Sequence, residues 1–141
     1  MAGVARTKAA LRIVADGLDP EVVTQTLGCA PSWQVKRGEP NPRAPRARAS
    51  TGVWSLQSTI ASDEQLEAHL LALLEQLPRP SAIRDLPDDW DAEFFVGLFM
   101  RDVNEGFSLS PDLLRQIGDA GLGLGFDIYG PLDDLSPEPG E

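Results

Sequence analysis

The feature that most constrains the fold is Phe94-Phe95-Val96-Gly97-Leu98-Phe99-Met100, an unbroken apolar run rich in large side chains. Asp91 and Glu93 precede it; Arg101 and Asp102 follow it. An apolar run of this length between charges reads as a strand buried on both faces. It holds three of the five phenylalanines, which predicts that the core is centred on it. Because side chains alternate along a strand, Phe95 and Phe99 face away from Phe94, Val96, Leu98 and Met100. Both faces then need cover, from a helix or from a second subunit. A bare face there would be a binding surface.

Other elements can be placed around this run. Residues 1–8 read as a flexible N-terminus. Ala9–Asp16 reads as the first strand, with Leu11, Ile13 and Ala15 on one side and Arg12 and Val14 on the other. Asp19, Pro20 and Glu21 open a short helix: a carboxylate N-cap, a proline where no donor is needed, and an acid in the first turn. Val22, Val23 and Leu27 give its apolar face, and Gly28 ends it. Thr51–Ile60 reads as the second strand. Ser62 and Gln65 form a capping-box pattern ahead of Leu66, Leu70, Leu73, Leu74 and Leu77, an apolar helical stripe closed by Pro78 and Pro80. An acidic connector follows, with one helical turn at Ser81–Leu86. The apolar strand then runs from Glu93 to Asp102, with a short returning strand at Phe107–Leu109 after a turn. Ser110 and Pro111 open the third helix, and Leu122–Tyr129 is the last strand.

Cys29–Ser50 has a different character. Pro31, Pro40, Pro42 and Pro45 are interleaved with Lys36, Arg37, Arg43, Arg46 and Arg48, which predicts a basic surface loop over residues 36–50. Residues 131–141 read as an acidic disordered tail. The whole chain carries a formal net charge of -10, which argues against nucleic acid or an anionic membrane as partner and is compatible with a basic protein. Cys29 is the only cysteine, so no intrachain disulfide forms and a reducing cytoplasm fits. No apolar stretch approaches the roughly 20 residues of a membrane helix.

Leu18-Asp19-Pro20-Glu21-Val22-Val23-Thr24-Gln25 echoes Leu109-Ser110-Pro111-Asp112-Leu113-Leu114-Arg115-Gln116. Each is a capped, proline-opened helix between strands. The repeat predicts an α+β fold of one domain over residues 9–130. Its expected form is a ferredoxin-like sandwich of four to five mainly antiparallel strands with three helices. Leu11-Arg12-Ile13, Leu18-Asp19-Pro20, Leu27-Gly28, Gly52-Val53-Trp54-Ser55-Leu56, Phe107-Ser108-Leu109-Ser110 and Leu124-Gly125-Phe126-Asp127-Ile128-Tyr129 occur in that order. In their order and spacing the chain resembles the bacterial family catalogued as domain of unknown function 4279. The resemblance implies a small single-domain cytoplasmic bacterial protein. It brings no catalytic residues to carry over.

The chemistry-bearing residues are few. His69 is the only histidine and is expected at a boundary surface position beside the leucine stripe. Cys29 stands at a helix C-terminus, the wrong end of the dipole to activate a thiol, and reads as structural. The acids Asp85, Asp88, Asp89, Asp91 and Glu93 lack the glycine and spacing of a calcium loop, so no metal and no cofactor are expected. The glycines at 121, 123 and 125 lead into a strand, the reverse of a dinucleotide loop. The remaining candidate is a sheet face carrying Arg12, Asp127 and Tyr129. There Arg12 and Asp127, taken to lie on adjacent strands, are expected to pair and frame a ligand site.

These features predict a non-enzymatic protein-interaction module that engages a basic partner, of the kind that toxin-neutralising proteins provide. The alternative is a small-molecule-binding regulatory or sensing domain using the Arg12 face. A homo-oligomer is compatible with either.

Overall fold

A computed structural model describes residues 5–131 of the chain, so the tail expected over 131–141 lies, beyond its first residue, outside the described residues. The central strand of its sheet, β1, spans Arg6–Ala15. Its alternation is regular: Thr7, Ala9, Leu11 and Ile13 are buried, while Arg6 and Lys8 lie exposed on the opposite face. β1 starts ahead of the expected Ala9. The backbone N–H of buried Thr7 donates to the Ser62 carbonyl at 2.7 Å, holding the chain in the sheet from its first described residues.

Helix α1 (Pro20–Leu27) is capped as its sequence predicts. Asp19 accepts from the Glu21 N–H, and Gly28 closes the helix at φ 77°. Val23 and Leu27 enter the core, whereas Val22 is exposed. The chain continues through β2 (Trp33–Val35) into a small hairpin of β3 (Pro40–Asn41) and β4 (Ala44–Arg48), then β5 (Gly52–Gln57). The expected loop over 36–50 is therefore largely a two-stranded ribbon. Its prolines are tolerated because they lie on an exposed ribbon that needs few donors. Asn41 Oδ1 accepts from the Arg43 N–H at 2.9 Å and shapes the turn; Arg48 donates to the Gly38 carbonyl at 2.8 Å across its base.

Helix α2 (Leu66–Glu75) lacks the expected capping box: its N-cap is Gln65, with no side-chain bond to the first turn. Ser62 is instead drawn toward β1 by its carbonyl's bond to Thr7. A 3₁₀ helix (Pro80–Asp85) leads to β6 (Asp91–Phe99), α3 (Pro111–Ala120) and β7 (Gly123–Tyr129). Among the described residues there are thus four helices, three α and one 3₁₀, where three were expected. Residues 107–109 form no strand. β6 is already flanked by β1 and β7, so no edge is left for a returning strand to pair with it.

The sheet is ordered β2-β5-β1-β6-β7, and every neighbouring pair is antiparallel except β6 and β7. The right partner for β7 is parallel because α3 carries the chain back to the same end. One hydrophobic cluster joins Leu11 and Ile13 of β1, Trp54 of β5, and Phe94, Val96 and Leu98 of β6 to Val23, Leu70, Leu73, Leu113 and Ile117 of the helices. β6 is thus not buried on both faces. Phe94, Val96 and Leu98 are buried, whereas Phe95, Gly97 and Phe99 are half-buried. The leucine helix covers the Phe94 face and leaves the other one open.

Candidate functional site

Strand register composes the open face. Arg6, Phe99 and Tyr129 form one row across β1, β6 and β7; Lys8, Gly97 and Asp127 form the next; Ala10, Phe95 and Gly125 the third; Arg12, Glu93 and Gly123 the fourth. Gly97 thus sits between Phe95 and Phe99 along its strand and between Lys8 and Asp127 across the sheet. Having no side chain, it leaves a hollow. A cavity of about 500 Å³ opens over it, lined among others by Lys8, Gln57, Phe95, Phe99, Asp127 and Tyr129.

One end of the cavity is aromatic. Phe99 and Tyr129 stack with ring centroids 4.7 Å apart and planes 8° from parallel, and the Arg6 guanidinium lies 4.4 Å from the Phe99 centroid. The hairpin contributes Arg43, which lines the cavity and lies 5.2 Å from the Trp33 ring. Neither Lys8 nor Arg43 joins any of the ion pairs found among the described residues. Asp127 accepts a long bond of 3.4 Å from the Tyr129 hydroxyl. The lining therefore carries two cations to one carboxylate, on a chain whose net charge is -10.

Ser58 and His69 stand at the polar end. Ser58 Oγ is 2.8 Å from His69 Nδ1 and accepts from the Ile60 N–H at 3.2 Å. His69 is only 1% exposed, not at the surface as expected. Its place three residues after Leu66 and four before Leu73 puts it on the buried stripe. Burial lowers its pKa, against the opposing pull of the Ala61 and Glu64 carbonyls and the Glu64 carboxylate.

Of the residues the sequence singled out, Asp127 and Tyr129 line the cavity, while Arg12 does not. The expected Arg12–Asp127 pair is absent because β6 stands between β1 and β7. Arg12 instead bonds Glu93 at 3.0 Å and lies 4.0 Å from the Phe95 centroid, bracing one wall from behind. The sequence places Arg43 only as one cation of the basic loop over 36–50, and Lys8 in the terminus ahead of the first strand. Lys8 continues the alternation of Arg12 along β1 and was missed by starting that strand at Ala9. Arg43 reaches the face only through the hairpin.

The other candidates resolve simply. Cys29 is half-buried, and burial raises its pKa. Gly121 closes α3 at φ 80°, and Gly125 leaves room for Glu93. Among the described residues, no group of three or more His, Cys, Asp or Glu is placed to hold a metal ion. No described helix is long and apolar enough to cross a membrane.

Fold and site together define a mixed α+β domain with a five-stranded sheet, helices packed on one face, and a cavity lined mainly from the other face and closed at one end by Ser62 and His69. Over residues 5–131 the chain matches the family described as Domain of unknown function (DUF4279), and it belongs to that family. No curated protein matches it significantly. No solved structure does either.

Proposed function

We propose that this chain is a small-molecule-binding regulatory or sensing domain, non-enzymatic, that holds its ligand on the open sheet face. The observation that carries this reading is the cavity of about 500 Å³ over Gly97, within the size of ligand sites generally. Aromatic rings, cations and amide or hydroxyl groups converge on it, the mixture that fixes a ligand's orientation. The bonds of Ser58 to Ile60 and His69 tie the end of β5 to α2, which supports a structural role for that pair.

The architecture is read with it as a ferredoxin-like sandwich. Support comes from β1-α1-β2-β5-α2-β6, which gives the order β2-β5-β1-β6 with antiparallel neighbours and two split β-α-β crossovers. In that reading α3 and β7 are an addition at the β6 edge. A single cysteine supports a cytoplasmic setting.

The second reading, a protein-interaction module for a basic partner, has the net charge of -10 in its favour, together with exposed Phe107, Leu114 and Ile128. Lys8 and Arg43 work against a basic partner at the cavity itself. Thermal-shift screening against a metabolite panel separates the two. The expected result is a raised Tm with at least one compound, lost in Gly97→Leu, where the new side chain fills the hollow. A panel without any shift, alongside a salt-sensitive protein complex in a pull-down, would overturn the ligand reading. Native mass measurement of the same sample reads the oligomeric state.

A further inference from the structure

We infer that the cavity takes a planar organic anion, an aromatic or conjugated ring bearing a carboxylate. The inference rests on the ligand-binding reading above and names the ligand's class. Two independent observations carry it, one of charge and one of shape.

The charge is local and runs against the whole molecule. Lys8 faces Gly97 in register, so its ammonium is rooted beside the hollow. Arg43 approaches from the hairpin, with Trp33 under its guanidinium and Asn41 holding its backbone N–H. Neither cation has a carboxylate partner among the described residues, although acids outnumber bases 22 to 12 in the chain. Asp127, the one acid in the lining, is turned toward the Tyr129 hydroxyl. A guanidinium and an ammonium at one cavity fit a carboxylate, which accepts charge-assisted bonds from both. The Gln57 amide adds a neutral donor on the β5 side.

The shape is set by flat groups. The Phe99–Tyr129 stack and the Phe95 ring bound the hollow along β6 and β7. A planar ring laid over Gly97 gains offset or edge contacts with these rings, worth roughly 0.5–1.5 kcal/mol beyond area burial in general. A saturated ring of the same size gains only the burial. The ring is placed toward Phe99 and Tyr129, and the carboxylate toward Lys8 and Arg43.

The test uses the full chain and three probes by isothermal titration: 2-naphthoate, its saturated counterpart decahydro-2-naphthoate, and 2-naphthylmethylamine. The naphthoate is expected to bind most tightly. Lys8→Gln and Arg43→Gln should each weaken it by about tenfold, the scale of one charge-assisted bond. Lys8→Arg should restore binding, and Gly97→Leu should abolish it. Both cations are exposed, so unchanged Tm in the Gln variants separates lost binding from lost fold. If the amine or the saturated acid binds as tightly as naphthoate, the ligand class is overturned. So it is if naphthoate binding survives both Gln substitutions. A neutral metabolite whose shift depends on Gly97, with no naphthoate binding, overturns the class but leaves the pocket reading standing. Silence from every probe and every panel member overturns both.

Discussion

Arg12 on β1 and Glu93 on β6 stand opposite each other in register, their guanidinium and carboxylate 3.0 Å apart. The same guanidinium lies 4.0 Å from the centroid of the Phe95 ring. The Glu93 carboxylate occupies space that β7 concedes: a Cβ at Gly125 would come within 2.9 Å of its Oε1. Three neighbouring strands are thus fitted together by one ion pair, one ring and one missing side chain. The result is a Phe95 ring held at a fixed angle where it forms a wall of the cavity.

Arg12→Ala is therefore expected to act on stability before binding. Both side chains of the pair are about one-third exposed, at 33% and 32%. Such a pair plus its ring contact contributes roughly 1 kcal/mol in general. Urea denaturation should show a loss of that size, reduced at high salt. Ligand affinity should fall by less than in Lys8→Gln, because Arg12 touches the cavity only through Phe95. An equal loss of affinity in the two variants would place Arg12 against the ligand itself.

What the sequence made legible was local. Asp19, Pro20, Ser110 and Pro111 fix two helix starts by chemistry contained within a few residues, and Asp19 and Ser110 both cap as expected. The misplaced features depended on partners far along the chain. Ser62 caps no helix; it sits in a turn whose carbonyl takes a backbone bond from Thr7. His69 read as surface because a lone polar residue on a leucine helix carries no sign of the Ser58 hydroxyl that receives it. That Asp127 and Tyr129 share one face of the sheet was legible because alternation along a strand is a short-range rule. Their partners were not, since strand order is a long-range property: nothing in the sequence of β1 says that β6 lies between it and β7.

Two glycines of the sheet should respond differently to alanine. At Gly52 a Cβ would lie 2.9 Å from the Ala15 carbonyl oxygen and 2.9 Å from the Leu18 Cβ. Backbone and a buried core side chain must both shift, so Gly52→Ala is expected to cost about 1–3 kcal/mol. At Gly97 the nearest atoms lie at 3.5 Å or beyond, an ordinary contact. Gly97→Ala should leave stability within about 0.5 kcal/mol while narrowing the hollow. Paired thermal melts check the contrast; equal losses would show that the Gly97 hollow does not exist as described.

The buried indole of Trp54 offers a cleaner probe of the core. Its Nε1–H donates to Thr24 Oγ1 at 3.0 Å, joining β5 to α1. Thr24→Val keeps the shape and removes the acceptor, leaving a buried donor unpaired. The expected cost is about 1–3 kcal/mol, far above that of a surface threonine. Trp54→Phe in the Thr24→Val background should lose less than the sum of the two single changes, because the orphaned donor goes with the indole. Strict additivity in a double-mutant cycle would show that the bond contributes nothing.

His69 gives the fold a pH dependence whose sign follows from its burial. In the unfolded chain its imidazole titrates near the ordinary 6.5; in the folded protein burial lowers that value. Above 6.5 both states hold the neutral ring, and His69 adds no slope. As pH falls below 6.5 the unfolded chain takes up the proton first, so stability declines with acidification until the folded state also protonates. The slope from one such group is at most about 1.4 kcal/mol per pH unit. Denaturation measured from about pH 7.5 down to about pH 5.5, above most carboxylate titration, should show this loss. His69→Gln keeps a polar partner for Ser58 and removes the titration, so its stability, lower overall, should be flatter across the same range. Parallel curves for the two proteins would mean that the buried ring is protonated as easily as an exposed one.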